Sequence, residues 1–196
     1  MTRLALIAAL LFALPAQADP AAETFVRTTA DEFIAVLVSQ PTLAGREAGF
    51  RKLLSAHVNM ERVGRFTLGT HARRIAPDDF RTYKTLLRDL LVKVYAGRLG
   101  DYGDETIEVL GSQSKRNNVI VSSRIVFADA REPISVDWWL VREKDGRLTL
   151  FDLRVLGIWM VQEQRAAFAS VLGSNRGNIA ALLDYLRVRV ENGTSG

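Results

Sequence analysis

Two histidines, His57 and His71, are the only imidazoles in this 196-residue chain, and it has no cysteine. They fall in separate helical segments and make no HxH or HExxH spacing, so no metal site is expected. His71, in Gly-Thr-His-Ala-Arg-Arg, reads as a polar surface residue. Ser, His and Asp all occur, yet no GxSxG elbow lifts a serine onto a strand-to-helix turn. No glycine-rich phosphate loop follows a strand, which removes support for nucleotide binding. Asp101, Asp104 and Glu105 lie close together and read as a solvated acidic turn sooner than a carboxylate pair for acid–base work. Asn192-Gly193-Thr194 matches a glycosylation acceptor by spacing, a match that chance supplies often. The expected catalytic residues are none, the expected metals and cofactors are none, and the chain is read as something other than an enzyme.

What the chain does hold is apolar surface. One helical stripe carries Tyr83, Leu87, Leu90, Leu91, Val94 and Tyr95. Alternating positions of a strand region give Val121, Ile125, Trp138 and Leu140, and a late turn adds Leu156, Ile158 and Trp159. An ordinary filled core accounts for these positions. So does a slot between two layers that admits an apolar ligand, and composition does not separate the two. Basic residues crowd one region, among them Arg62, Arg65, Arg73, Arg74, Arg81, Lys84 and Arg88. Most of them fill a helix's solvent face. Arg73, Arg74 and Arg81 are candidates for docking on an acidic partner or an anionic membrane surface.

The start of the chain indicates the compartment. Arg3, an apolar run from Leu4 to Leu14, Pro15 and then Ala16-Gln17-Ala18 make the three parts of a secretory leader. The run is shorter than the roughly 20 apolar residues of a spanning helix. The expectation is a leader over 1–18, cleavage before Asp19, one domain over 19–191, a frayed tail over 192–196, and residence in the periplasm of a Gram-negative bacterium. With no cysteine, an exported chain must be stabilised by burial rather than disulfides. A net charge of +4 from 26 basic and 22 acidic residues is no nucleic-acid footprint.

The elements that must position these residues follow from periodicity. Helical spacing covers Ala21 to Gln40, Leu43 to His57, and Met60 to Leu68 behind Asn59. Pro77-Asp78-Asp79 opens a long helix that fades at Gly97 to Gly103, with two acids at the positive end of its dipole. The period then changes to two. Thr106–Leu110, Asn118–Ala128, Ile134–Val141 and Leu148–Val155 read as four strands of an antiparallel meander, each with one face to a core and one to water. Lys144-Asp145-Gly146 is a hairpin signal. Helices return over Met160–Leu172 and Ile179–Val190. Helices, strands, helices without βαβ alternation define an α+β fold.

Three blocks carry a resemblance. The first is Arg62-Val63-Gly64-Arg65-Phe66-Thr67-Leu68-Gly69, followed by Asp79-Phe80, Leu90 to Tyr95, Arg98-Leu99 and Tyr102. The second is Phe151 to Trp159 with Gln164-Arg165-Ala166-Ala167-Phe168, and the third is Asn178 to Leu183. In order and spacing they resemble the MlaC-type periplasmic lipid carriers, also called toluene-tolerance auxiliary proteins. Ala72 departs from the aromatic that this family often carries after Leu-Gly. The resemblance implies helices wrapping a curved four-stranded antiparallel sheet, an NTF2- or cystatin-like half, around an internal apolar cavity. It implies a phospholipid ligand held by the apolar residues above together with Phe66. The implied partners are an inner-membrane ABC transporter complex and an outer-membrane lipoprotein–porin complex. The carrier is expected to be a monomer that touches the membrane surface transiently and binds no nucleic acid. A hopanoid-associated branch, HpnM, shares the architecture, so a hopanoid is the alternative cargo. The rival class is a small NTF2-like enzyme, which needs a buried carboxylate or histidine in its cone. Asp137 and Asp152 alternate away from the apolar faces in the strand reading, against that rival.

Overall fold

A computed structural model describes residues 18–98, 105–129 and 131–192, with no side-chain description at 97 and 98. Asp101, Tyr102, Asp104, the Gly193-Thr194 half of the acceptor match and all but the last residue of the expected leader lie outside the described residues. Six helices and five strands follow in the order α1 Pro20–Ser39, α2 Leu43–His57, α3 Met60–Leu68, α4 Pro77–Arg98, β1 Thr106–Lys115, β2 Asn118–Val126, β3 Ile134–Arg142, β4 Leu148–Val155, β5 Ile158–Trp159, α5 Met160–Ser174 and α6 Ile179–Asn192. The α+β reading holds.

The helix starts are written into the sequence. Asp19, Thr42 and Asn59 each cap the helix that follows, accepting from the amides of Ala22, Gly45 and Arg62 at 3.1 Å. Gly69 closes α3 with φ +56°, a left-handed conformation suited to glycine. It leads into a 3₁₀ turn, Gly69–Arg73, that periodicity did not predict.

The strands form one open antiparallel sheet in the order β1-β2-β3-β4-β5. A fifth strand joins the four expected, and β1 runs on to Lys115 instead of ending at Leu110. Two bulges interrupt the register. Leu110 is the extra residue between the Val109↔Ser123 and Gly111↔Ser122 pairs. Phe151 is the extra residue between the Leu140↔Leu150 and Trp139↔Asp152 pairs. Each bulge bends its strand and re-aims the side chains beyond it.

The two sheet faces serve different cores. On one face Val119, Val121, Val136, Trp138 and Leu140 are buried together with Ala22, Val26 and Ala30 of α1. The other face is polar at one end, where Ser122 and Arg154 both bond Asp137. At its other end it is apolar: Val141 and Phe151 are buried there in a helical core with Trp139 packed against it. The expectation of one apolar and one wet face per strand is therefore corrected at the β3–β4 end. The α4 stripe belongs to this helical core, with Val63 and Leu68 of α3, Phe168 and Leu172 of α5, and Leu182, Leu183 and Leu186 of α6.

Candidate functional site

The face of the sheet under α1 is an apolar surface roofed by that helix. Its register is regular: Val119 opposes Leu140, Val121 opposes Trp138, and Ser123 opposes Val136. Ile107, Val109, Ile125, Ile134 and Leu153 extend it half-buried toward its rim. The polar groups on it are satisfied internally, since Ser123 donates to the Val136 carbonyl at 3.0 Å and accepts from Trp138 Nε1 at 2.9 Å. The roof is built from small residues. Ala22, Val26 and Ala30, spaced by four, let α1 lie close to the sheet.

A polar cluster fastens the start of α1. The Asp19 carboxylate accepts from the Ala22 amide and from Arg142 Nη2 at 2.5 Å, while the Asp19 amide donates to Ser112 Oγ at 2.7 Å. Ser112 in turn donates to Glu23 at 3.0 Å. Burial works to raise the Asp19 carboxyl, but the Ala22 amide and Arg142 outweigh it and hold it below its usual range. Further along, His57 of α2 meets Glu32 of α1 at 2.6 Å, with the Phe25 ring edge-on to it.

One group in this layer has no partner. Thr29 is 7% exposed and its hydroxyl oxygen is buried without a hydrogen bond. Such a buried polar atom costs about 1–3 kcal/mol. Thr29 borders a hollow of about 390 Å³ beside α1, lined also by Phe25, Thr28, His57 and Leu148. A second, more polar hollow of about 580 Å³ is lined by Asn59, Arg62, Glu143 and Arg147, and the two meet at Arg142. Pockets for drug-sized ligands span about 300–1,000 Å³. A two-chain lipid is larger than such a ligand, so the hollow beside α1 would have to extend beneath that helix to hold one.

The residues singled out from sequence divide among three places. Val121, Ile125, Trp138 and Leu140 lie on the face under α1. Tyr83, Leu87, Leu90, Leu91 and Val94 are buried in the helical core, with Phe66 and Tyr95 packed against it. The long helix and the sheet face therefore do not confront each other across one slot. Leu156 and Ile158 are on the outside, 73% and 52% exposed. Trp159 stands in an aromatic row with Trp139, Phe151 and Phe66, at centroid spacings of 5.7, 4.9 and 5.1 Å. The guanidinium of Arg165 covers the Phe66 end and that of Arg154 the Trp159 end.

Of the three docking candidates, Arg73 and Arg74 are exposed and make no ion pair among the described residues. Arg81 is bound by Asp78 one helical turn away. Asp152 corrects a further expectation. It is 2% exposed, not turned to water. Its carboxylate accepts the amides of Leu153 and Val161 at 2.8 and 2.7 Å and that of Gln162 at 3.3 Å. Burial raises its pKa against the pull of these amides. With every near donor a main-chain amide, Asp152 is the cap of α5, whose own Trp159 start supplies none. Sequence reasoning missed the α1 roof, Thr29 and the Asp19 cluster. The Ala22-Val26-Ala30 spacing was the available signal for the first.

Among the described residues no group of three or more His, Asp or Glu side chains is placed to hold a metal ion, and no helix is long and apolar enough to cross a membrane. A sheet with one apolar face closed by a helix defines a fold that solved structures share. A phospholipid-binding protein from Ralstonia solanacearum, solved in complex with a phospholipid, superposes with a TM-score of 0.76 at 21% sequence identity, covering 87% of this chain and 97% of that one. The family model of the MlaC protein matches residues 27–188, and the chain belongs to the MlaC family. No curated protein matches it in sequence.

Proposed function

We propose that the protein is a periplasmic phospholipid carrier that takes acyl chains against the sheet face now covered by α1. The observation that carries this reading is the α1–sheet layer: a wide apolar face, a roof of small side chains, an unpartnered hydroxyl, and a hollow already open at one side. Membership of the MlaC family and the phospholipid held by the Ralstonia protein support a binding protein over an enzyme. Val121, Ile125, Trp138 and Leu140 are the lining residues in this reading, and α1 moves outward as chains enter.

The energetics suit a shuttle. Two acyl chains of about 16 carbons carry about 25 kcal/mol of gross transfer energy out of water at ~0.8 kcal/mol per methylene. A bilayer offers nearly the same, so an apolar interior with few polar contacts can both load and unload. The route runs between an outer-membrane lipoprotein–porin complex and an inner-membrane ABC transporter, after removal of residues 1–18. Arg73 and Arg74 are the docking charges.

Native mass spectrometry of the purified protein tests this. Added mass equal to one two-chain phospholipid is expected, and a hopanoid mass would reassign the cargo. A bare chain that takes up nothing from liposomes would refute the carrier reading.

A further inference from the structure

The β4–β5 hairpin turns through two residues, Leu156 and Gly157, between the paired Val155 and Ile158. Both turn residues have positive φ, +50° and +84°. Asn-Gly is the usual occupant of such a turn, because a leucine side chain is strained in the left-handed region. This chain places there a leucine that is mostly exposed, next to an isoleucine that is half-exposed. Local stability does not account for that choice. Behind the tip stands Trp159, an amphipathic ring of the kind that suits a boundary between water and lipid.

α5 begins at the foot of this hairpin and leads away from it. Its exposed positions are Gln162, Glu163 and Arg165 near its start and then Ala166, Ala169, Ser170, Gly173 and Ser174, so beyond the first turn its outer side is low, and Glu163 is the one acid on it. Cations lie along it. Arg165 passes over Phe66 and reaches Gly69 at the start of the 3₁₀ turn, within 3.7 Å of where a side chain there would begin. The turn after α5, holding Arg176, abuts His71 of the same 3₁₀ turn, which ends at Arg73 and Arg74. Arg73, Arg74, Arg165 and Arg176 are all exposed and make no ion pair among the described residues, whereas Arg81, Arg147 and Arg187 are each bound by a near acid.

We propose that α5 and the β4–β5 hairpin form one face that docks on an anionic bilayer, with Leu156 and Ile158 entering the acyl boundary and Arg73, Arg74, Arg165 and Arg176 meeting lipid phosphates. The proposal rests on the carrier reading, which requires an approach to membranes. An acidic protein surface would account for the arginines but leave an exposed Leu-Gly-Ile tip without a purpose. An apolar wedge flanked by unpaired cations fits the headgroup–acyl boundary.

The test is co-sedimentation of the chain beginning at Asp19 with vesicles of phosphatidylcholine, with and without phosphatidylglycerol, at low salt. Binding is expected only with the anionic lipid. The variant Leu156→Asn with Ile158→Ser should bind about tenfold more weakly or less. Asn suits the left-handed turn better than leucine, and an unfolding midpoint no lower than that of the unaltered chain excludes a folding defect as the cause of that loss. Arg73→Glu with Arg74→Glu should also weaken binding, more at low salt than at high. Brominated acyl chains should quench tryptophan fluorescence, and Trp159→Phe should lose the Trp159 share of that quenching while keeping any that uptake under α1 gives through Trp138. No binding by the unaltered chain, or binding indifferent to the tip variant, overturns the proposal, the first outcome pointing to an acidic protein partner. Lipid occupancy by native mass is read on the same samples. Vesicle binding by a chain that carries no lipid would overturn the carrier reading and leave the docking face standing.

Discussion

Asp152 shows how a single side chain can join a sheet to a helix. It leaves β4 beside the extra residue Phe151 and meets the first amides of α5. Asp152→Ala should cost about 2 kcal/mol, from a lost cap and buried amides left unpaired, seen as a lower chemical-unfolding midpoint. Asp152→Asn keeps one acceptor oxygen and should cost less. The pH dependence has a definite sign. A carboxyl raised in the folded state binds its proton more tightly there than in the unfolded chain, so its contribution to stability grows as pH falls through the folded pKa. The stability of the unaltered chain relative to Asp152→Asn should therefore rise from neutral pH into the acid range. Glu143 acts oppositely. Bonds from Asn59 and Arg62 lower its pKa, and the stability they add is lost as pH falls through the folded value. Tyr83 shares a 2.6 Å bond with Thr67 in the helical core. Thr67 also donates to the Val63 and Gly64 carbonyls. Tyr83→Phe should thus cost only about 1 kcal/mol in thermal or chemical unfolding. None of this residue-level wiring was legible in the sequence, because strand alternation sends Asp152 to water and only the bulge at Phe151 turns it inward.

At the scale of elements, α1 and α4 do different work, although periodicity makes both amphipathic. Leu91 lies in the helical core and Leu140 under α1. Leu91→Trp should overpack a filled core and cost about 1–3 kcal/mol, with lipid occupancy of the folded fraction unchanged. Leu140→Trp should lower occupancy with little loss of midpoint in delipidated protein, measured without lipid because bound ligand itself stabilises. Strong destabilisation by Leu140→Trp with full occupancy would assign the α1 face to ordinary core. The starts of α3 and α4 and the meander were legible, because Asn59 and Pro77 mark the former, and the period-two runs and the Asp145-Gly146 turn mark the latter, while the caps Asp19 and Thr42 were not singled out. The division into two cores was not. Period fixes which side of an element is apolar but not which partner covers it, so Leu91 and Leu140 look equivalent until Phe151 and Trp139 are seen to draw the helices to the far face. The pair Ile158–Trp159 is too short to carry a period at all.

Across the whole molecule, charge is mostly spent in short-range pairs, from Arg27–Glu23 to Arg187–Asp184. A net charge of +4 understates how uneven the remainder is, since cations without acids collect around one 3₁₀ turn. On the proposed carrier reading, Arg73→Glu with Arg74→Glu should slow lipid exchange between vesicle populations without removing bound lipid, and the effect should shrink with salt as exposed charges are screened beyond roughly 10 Å at 0.1 M. Arg81→Gln, beside its own Asp78, should change little.

Asp19 gives the proposed removal of residues 1–18 a structural consequence. Its main-chain nitrogen, 2.7 Å from Ser112 Oγ, is a neutral amide while residue 18 is attached. The cleavage after Ala18 proposed above would turn that atom into an ammonium. A positive charge there opposes the helix dipole, but the carboxylates of Asp19 and Glu23, both bonded into the same cluster, offset it. A chain so cut would carry a charge at the junction of α1 and β1, where the uncut chain has a neutral amide. One residue added before Asp19 would displace the charge, and a chain so extended should unfold at a lower temperature and release lipid faster than one that starts cleanly at Asp19.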